Sequence, residues 1–153
     1  MSVRQKRVQK ILEIRERRLD QTASQLIRAR GIAEQAERAL AEQKRRTEEA
    51  LRERTELASR EVTAGDWIDS EAWRMRMGNQ ELVLGERATR AQGVVQKASE
   101  LVRVARSDVK KIETLRQNLK QTETAAEERK DRVNQDEFAA RRARVKAKDS
   151  ERE

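Results

Sequence analysis

The most constraining feature of this 153-residue chain is that it contains no proline. Proline lacks a backbone N–H and clashes with the preceding helical turn, so long uninterrupted helices exclude it, whereas disordered chains are usually rich in it. Leu, Ile, Val and Phe contribute only 29 residues, too few for an ordinary globular core of this length, and 42% of the residues are charged. This combination predicts long helices paired as a coiled coil.

Two apolar heptad repeats predict two helices. The first repeat predicts a helix over residues 3–62. Ser2 with Gln5 three residues later has the pattern of the capping box that starts such a helix. The second repeat predicts a helix over residues 67–140. Helices with such polar surfaces need a partner helix to be stable. The predicted coiled-coil seam consists of Leu12, Leu19, Leu26, Leu40, Ala91, Ala98, Ala105, Ile112 and Leu119.

A single turn signal, Thr63-Ala64-Gly65-Asp66, separates the two repeats. Gly65 can adopt the left-handed conformation at a helix end, and Asp66 can cap the following helix. Since short connections join antiparallel neighbours, we expect an all-α fold: one long antiparallel two-helix coiled-coil hairpin with its turn at 63–66. Residues 141–153 are then a basic, frayed tail. The hairpin is expected to be monomeric; the alternative is two long helices that dimerise with another copy.

The heptads also suggest a register for the hairpin. If Leu12 lies level with Leu119, then Leu26 lies level with Ala105 and Leu40 with Ala91, and the numbers of each pair sum to 131. A register of this kind places the centre of the hairpin between residues 65 and 66.

The net charge of +8 is concentrated at the two ends of the chain. Residues 1–18 carry +5 and residues 139–153 carry +3, while the middle is neutral. These ends are either simply solvated or, if the termini lie side by side, form one basic patch that faces an acidic partner. The candidate binding residues are Arg4, Lys6, Arg7, Lys10, Arg15, Arg18, Arg141, Arg142 and Arg144.

Bulky apolar residues follow the predicted turn, namely Trp67, Trp73, Met75 and Met77. They either close the tip of the hairpin or stay exposed as anchors for a partner, since Trp and Met are enriched at interfaces. Because Trp73 precedes Met77 by four residues, the two share a helix face, and Trp73 is the preferred anchor. Gly78, Gly85 and Gly93 mark either a tolerant surface or a soft, closely approached segment.

The composition argues against catalysis. The chain has no Cys, no His and no phosphate-binding loop, so we expect a non-enzymatic protein without metal, cofactor or small-molecule substrate. Nucleic acid is not expected as a partner, because the middle is neutral and no aromatic residues lie near the basic ends for base stacking. No apolar segment of membrane-spanning length or signal-peptide pattern is found, so a cytoplasmic location is expected.

The charged segment 128–137, which ends in Asp136-Glu137, resembles the C-terminal stretch of the FliJ/YscO family, although Gln135 replaces a more usual apolar residue. Chain length, basic character and the predicted hairpin resemble that family as well. Its members are central stalk proteins of flagellar and virulence type III secretion systems and are similar to the coiled-coil part of the rotary ATP synthase gamma subunit.

The resemblance implies a stalk that links a hexameric secretion ATPase to the export-gate membrane protein, peripheral to the inner-membrane secretion apparatus. Its basic terminal residues would bind the ATPase pore and the Trp/Met cluster the gate, with secretion chaperones as further candidate partners. The scarcity of aromatic residues favours the virulence branch. The alternative is a basic coiled-coil scaffold or nucleic-acid-binding protein unrelated to secretion.

Overall fold

The structure, a computed structural model, describes residues 1–150 apart from the side chain of Asp149. It consists of two helices, α1 (Val3–Ala58) and α2 (Ala64–Ser150). The described chain is 95% helical and contains no strand, so the prediction of an all-α helical hairpin is confirmed.

The start of α1 is fixed by the predicted capping box. The Gln5 backbone N–H donates to Ser2 Oγ at 3.1 Å, and the Ser2 backbone N–H donates to Gln5 Oε1 at 3.2 Å. Two backbone donors that lack partners inside the helix are thereby satisfied, which defines where α1 begins.

The connection between the helices lies at residues 59–63 and shares only Thr63 with the predicted turn at 63–66. Thr63 is the cap of α2: its Oγ1 accepts from the Asp66 N–H at 3.2 Å, and Asp66 Oδ2 accepts from the Thr63 N–H at 3.3 Å. The expected roles were therefore wrong. Gly65 lies inside the first turn of α2 without a positive φ, and Asp66 is the third helical residue of a Thr-x-x-Asp capping box.

The C-terminal ends of α1 and of α2 both differ from the prediction. Helix α1 ends at Ala58 rather than near residue 62, because the Ser59 hydroxyl bonds back to the Glu56 carbonyl at 2.5 Å and competes with the helical pattern. Helix α2 continues to Ser150, so the expected frayed tail from residue 141 is wrong for the described residues. Ala, Arg and Lys dominate that segment and are strong helix formers, and basic side chains near a helix C-terminus are favoured by the helix dipole.

The chain divides into two compact units, where the sequence alone predicted one domain. The terminal unit contains Met1–Glu16 and the chain from Ser107 onward, and the turn unit contains Arg17–Arg106. Each unit contains an α1 segment antiparallel to an α2 segment.

In the turn unit, alanine-rich clusters hold the two helices together. One cluster contains Leu26, Ala29, Ala98 and Val102. The other contains Ala33, Ala36, Ala88 and Ala91, with Leu40 packed against it. Small side chains let two helices approach closely, and each buried Leu contributes about 1.5–3 kcal/mol. All nine predicted seam residues are buried or half-buried, in whichever unit they lie.

The register of the helix pair differs from the predicted one by one heptad. In the turn unit Leu26 clusters with Ala98 instead of Ala105, and the number pairs of the second cluster, 33 with 91 and 36 with 88, sum to 124. A shift of seven residues keeps the same residues in the seam, because the repeat itself is seven residues long. The expected sum of 131 was therefore wrong, whereas the residues predicted for the seam are all buried or half-buried.

The contacts of the terminal unit give the same register. Gln9 Oε1 accepts from Arg116 at 3.1 Å, and Arg15 pairs with Asp108 at 3.4 Å. Leu12, which is only 2% exposed, therefore lies level with Ile112 and not with Leu119. Towards the chain ends, Ser2 Oγ donates a hydrogen bond to Glu123 Oε1 at 2.6 Å.

Candidate functional site

Helix α2 continues past the start of α1 as a free helix end. From residue 124 onward every described residue is exposed, because α1 begins level with Glu123. At about 1.5 Å per residue, residues 124–150 extend roughly 40 Å without an intramolecular partner. Such a length of polar, unpaired helix is marginally stable alone, so it is a candidate for binding another protein.

The basic residues of the two termini do not form one patch. Arg141 lies 18 positions beyond Glu123 on α2, which corresponds to about 27 Å along the helix from the Ser2 contact. Of the two alternatives that the sequence left open, the one in which the termini form a single basic patch is therefore wrong. Residues 141–148 carry five bases and no acid, and they form a basic segment of their own.

One face of the free helix end combines apolar and basic side chains. Phe138, Arg141, Arg142 and Val145 are spaced i, i+3, i+4 and i+7, which places them on one side of the helix. All four side chains are exposed, and Phe138 is 65% exposed. Sequence reasoning missed Phe138 and Val145; the signal was a lone Phe seven residues before a Val within a basic run.

The N-terminal basic residues occupy different environments. Arg4, Lys6, Arg7 and Lys10 are exposed on the first turns of α1. Arg15 differs, because its guanidinium pairs with Asp108 on α2 and helps hold the helix pair of the terminal unit. Arg18 is exposed and belongs to the turn unit.

The Trp/Met cluster after the turn divides between two faces of α2. Trp73 and Met77 are half-buried, and Met77 Sδ accepts from Nε2 of the buried Gln43 at 2.9 Å. Met75 is exposed, and Trp67 is 52% exposed. Trp73 and Met77 do share a face, as predicted, but it is the face that packs towards α1. Trp67 is therefore the more accessible of the two tryptophans.

Trp67 is held in place by a cation–π contact and an ion pair. The Arg54 guanidinium carbon lies 4.6 Å from the centroid of the Trp67 ring, and Arg54 also pairs with Glu71 at 3.0 Å. The hydrogen bond from Arg74 is the largest cause of a lowered pKa for the Glu71 carboxyl, with Arg54 adding to it. The ion pair with Glu71 holds the Arg54 guanidinium over the indole. Sequence reasoning did not find Arg54, because only the turn brings it near Trp67.

The described residues contain no cluster of acidic side chains that could hold a metal ion. Neither described helix has a stretch long and apolar enough to cross a membrane. The carboxyls with lowered pKa values, such as Glu42 beside Arg45, lie on exposed helix surfaces as ion-pair partners. The fold defines a class of protein: an all-α helical hairpin with exposed basic and apolar surfaces.

Comparison with known families gives that class a more specific identity. The family described as "Flagellar FliJ protein" matches residues 5–148. The chain therefore belongs to the FliJ family, whose members are non-enzymatic secretion components. It is thus related to the stalk proteins of flagellar and type III secretion. No curated protein and no solved structure was found to match it.

Proposed function

We propose that this chain is the central stalk of a type III secretion export apparatus, which couples the hexameric secretion ATPase to the export gate. The observation that carries the proposal is the free helix end, residues 124–150, a single helix of about 40 Å in which residues 141–148 are basic. A single helix is slender enough to enter the central pore of a ring. No cofactor is required of the stalk, since nucleotide is bound by the ATPase.

At the ATPase end, binding involves the helix face of Phe138, Arg141, Arg142 and Val145. This face contributes both to the specificity of binding and to the rate of association. The two apolar side chains lose water on docking, and each contributes about 1.5–3 kcal/mol if fully buried. The flanking arginines attract acidic pore loops from a distance, which speeds association and makes it sensitive to salt. Arg144 adds to the positive charge of this segment, and the exposed Arg4, Lys6, Arg7 and Lys10 form a separate basic surface at the start of α1.

At the gate end, Trp67 and Met75 are the proposed anchors, with Trp73 and Met77 supporting them from the packed face. Burial of the exposed half of Trp67 gives on the order of 2 kcal/mol towards docking. Arg54 fixes the indole before binding, so little conformational entropy is lost when a partner covers it.

The decisive experiment reverses the charge of the free helix end. The triple variant Arg141→Glu, Arg142→Glu and Arg144→Glu should bind the purified secretion ATPase at least tenfold more weakly, and the wild type should lose affinity as salt rises. A matched control reverses three exposed arginines of the turn unit, Arg28, Arg30 and Arg52. It has the same net charge and should bind normally.

Three results would contradict this proposal. Equal weakening in the control would mean that only net charge matters. Unchanged binding of the triple variant would exclude the free helix end. Comparable affinity of the wild type for arbitrary duplex DNA at physiological salt would favour the nucleic-acid-binding alternative.

The location and the branch of the secretion system are part of the same proposal. We propose a cytoplasmic protein, monomeric at low concentration, at the inner-membrane base of the apparatus, with secretion chaperones as additional partners. Deletion of the gene separates the branches: loss of motility indicates the flagellar apparatus, and loss of effector secretion with intact motility indicates the virulence branch.

A further inference from the structure

The seam of the turn unit has nearly the same composition in two registers. In the observed register Ala33 clusters with Ala91, and Leu26 clusters with Ala98. If α1 lay seven residues further along α2, Ala33 would lie level with Ala98. Leu26 would likewise move from Ala98 to Ala105, so both residues would meet alanine again. Packing of the seam therefore does little to separate the observed register from this shifted register.

The segment that joins the helices contains signals for both registers. In the observed register Thr63 and Asp66 form the capping box that starts α2. In the shifted register residues 59–62 would join α1, and residues 64–66 would leave α2. Gly65 would then follow the last turn of α1, where a left-handed conformation is common and glycine is preferred. The residues gained by α1 and those lost by α2 together make up the slide of one heptad.

The observed register gives no reason for glycine at position 65. Gly65 lies inside the first turn of α2, and its φ is not positive. A Cβ atom there would lie 3.8 Å from Thr63 Oγ1, which is an ordinary van der Waals contact. Glycine is also among the least favourable residues in a helix. A second conformation, in which position 65 is left-handed, accounts for its presence.

Gln43 favours the observed register. It is a polar residue in the seam, only 7% exposed, and its Nε2 donates to Met77 Sδ at 2.9 Å. A slide of about 10 Å would break this bond and place Gln43 level with Ala88, in an alanine cluster without polar partners. Single buried polar residues set the register of coiled coils in this way. In the terminal unit, the same slide would separate Arg15 from Asp108, which also favours the observed register.

We infer that the turn unit exchanges between the observed register and a less populated shifted register. Residues 59–66 are the part that refolds, and Gln43 selects between the two states. In the shifted register Arg54 lies level with Met77, so its guanidinium leaves the Trp67 ring. The register therefore controls whether Arg54 covers the indole. The exchange of registers does not depend on the proposed stalk function.

Pairs of introduced cysteines report each register separately, because the chain has no cysteine of its own. A disulfide needs Cα atoms within about 7 Å, so a pair displaced by about 10 Å along the helices does not form one. Ala33→Cys/Ala91→Cys reports the observed register, and Ala33→Cys/Ala98→Cys reports the shifted one. Ala29→Cys/Ala88→Cys is displaced by the same distance in the opposite direction and measures accidental collisions.

Mild oxidation of the dilute protein, followed by gel electrophoresis without reductant, measures the rate of each intramolecular crosslink. The shifted pair should form more slowly than the observed pair but roughly tenfold faster than the collision control. Gln43→Leu should raise the rate of the shifted pair about threefold, because no buried amide opposes the slide. Gln35→Leu is the matched control at an exposed position of α1 and should leave the rate unchanged.

A second substitution tests the connection. Gly65→Ala should lower the rate of the shifted pair about fivefold, because alanine favours helix α2 and disfavours the left-handed conformation. Gly78→Ala is the matched control, since a Cβ atom there meets nothing within 4 Å and position 78 is helical in both registers. It should leave the rate unchanged. The observed pair should crosslink in every variant, which shows that each variant folds.

Two results would overturn the inference. A shifted pair that forms no faster than the collision control, both in the wild-type background and with Gln43→Leu, would mean that the turn unit has a single register. A shifted pair whose rate does not respond to Gly65→Ala would mean that the connection is not the part that refolds.

Discussion

Replacement of helix glycines by alanine should stabilise this protein by a predictable amount. Gly31 in α1 and Gly85 in α2 both lie in helix interiors, and a Cβ atom at either position would meet nothing within 4 Å. Because no clash offsets the gain in helix propensity, each substitution should add about 0.8–1 kcal/mol. The double variant Gly31→Ala/Gly85→Ala then gains about 2 kcal/mol, or roughly 4–8 °C in Tm.

Thermal unfolding followed by far-UV circular dichroism measures this gain at low protein concentration, where association does not contribute. Ala39→Gly is the control: residue 39 is exposed inside α1, so the substitution should lower Tm by a similar step. A double variant with unchanged or lower Tm would refute the reasoning, because it would mean that the backbone near Gly31 or Gly85 is closely approached. A stabilised variant that binds the ATPase but no longer supports secretion would instead show that the glycines keep the helix flexible for function.

Three further predictions follow from the contacts and charges of the described residues. Spin labels at Glu37 and Gln92, whose side chains hydrogen-bond across the helices, should lie close together within one molecule; a long intramolecular distance would contradict the register and favour a dimer of extended helices. Tryptophan emission should show one indole that a soluble quencher reaches, and Trp67→Phe should remove that component while Trp73→Phe leaves it; equal protection of both indoles would exclude Trp67 as an anchor. Stability should fall as the pH drops from 4.5 towards 2, because the hydrogen bond from Arg45 lowers the pKa of Glu42 from 4.5 to about 2. The unfolded chain binds the proton at the higher pH, whereas the folded chain must first lose the ion pair. A Tm that does not change over this range would contradict the prediction.

The fold class was predictable because every local signal agreed. The lack of proline, the abundance of helix formers and two apolar heptads all favour long paired helices, and the capping box at Ser2 marks where the first begins. The turn was misplaced because Thr63-Ala-Gly-Asp fits two interpretations. Gly65 suggested a helix end, whereas Thr63 and Asp66 form a helix start, and the capping box satisfies more backbone donors.

The candidate sites were only partly predictable, because exposure depends on what the other helix covers. The identities of Trp67, Trp73 and Met77 were plain, but only their positions relative to α1 separated the accessible Trp67 from the half-buried pair. Likewise, the charge at both termini was visible in the sequence, yet the distance between the two basic segments depends on where α1 begins along α2.

The sequence by itself determined the helices and the residues that form their seam, because a heptad repeat assigns each position to the inside or outside of a helix pair. It did not determine the register, because a slide of seven residues returns the same apolar residues to the seam. Only the tertiary structure decided between the two registers, through the short connection at residues 59–63 and cross-helix contacts such as Arg15 with Asp108 and Arg54 with Glu71. That choice leaves α2 without a partner beyond Glu123, and so it creates the free helix end on which the proposed function depends.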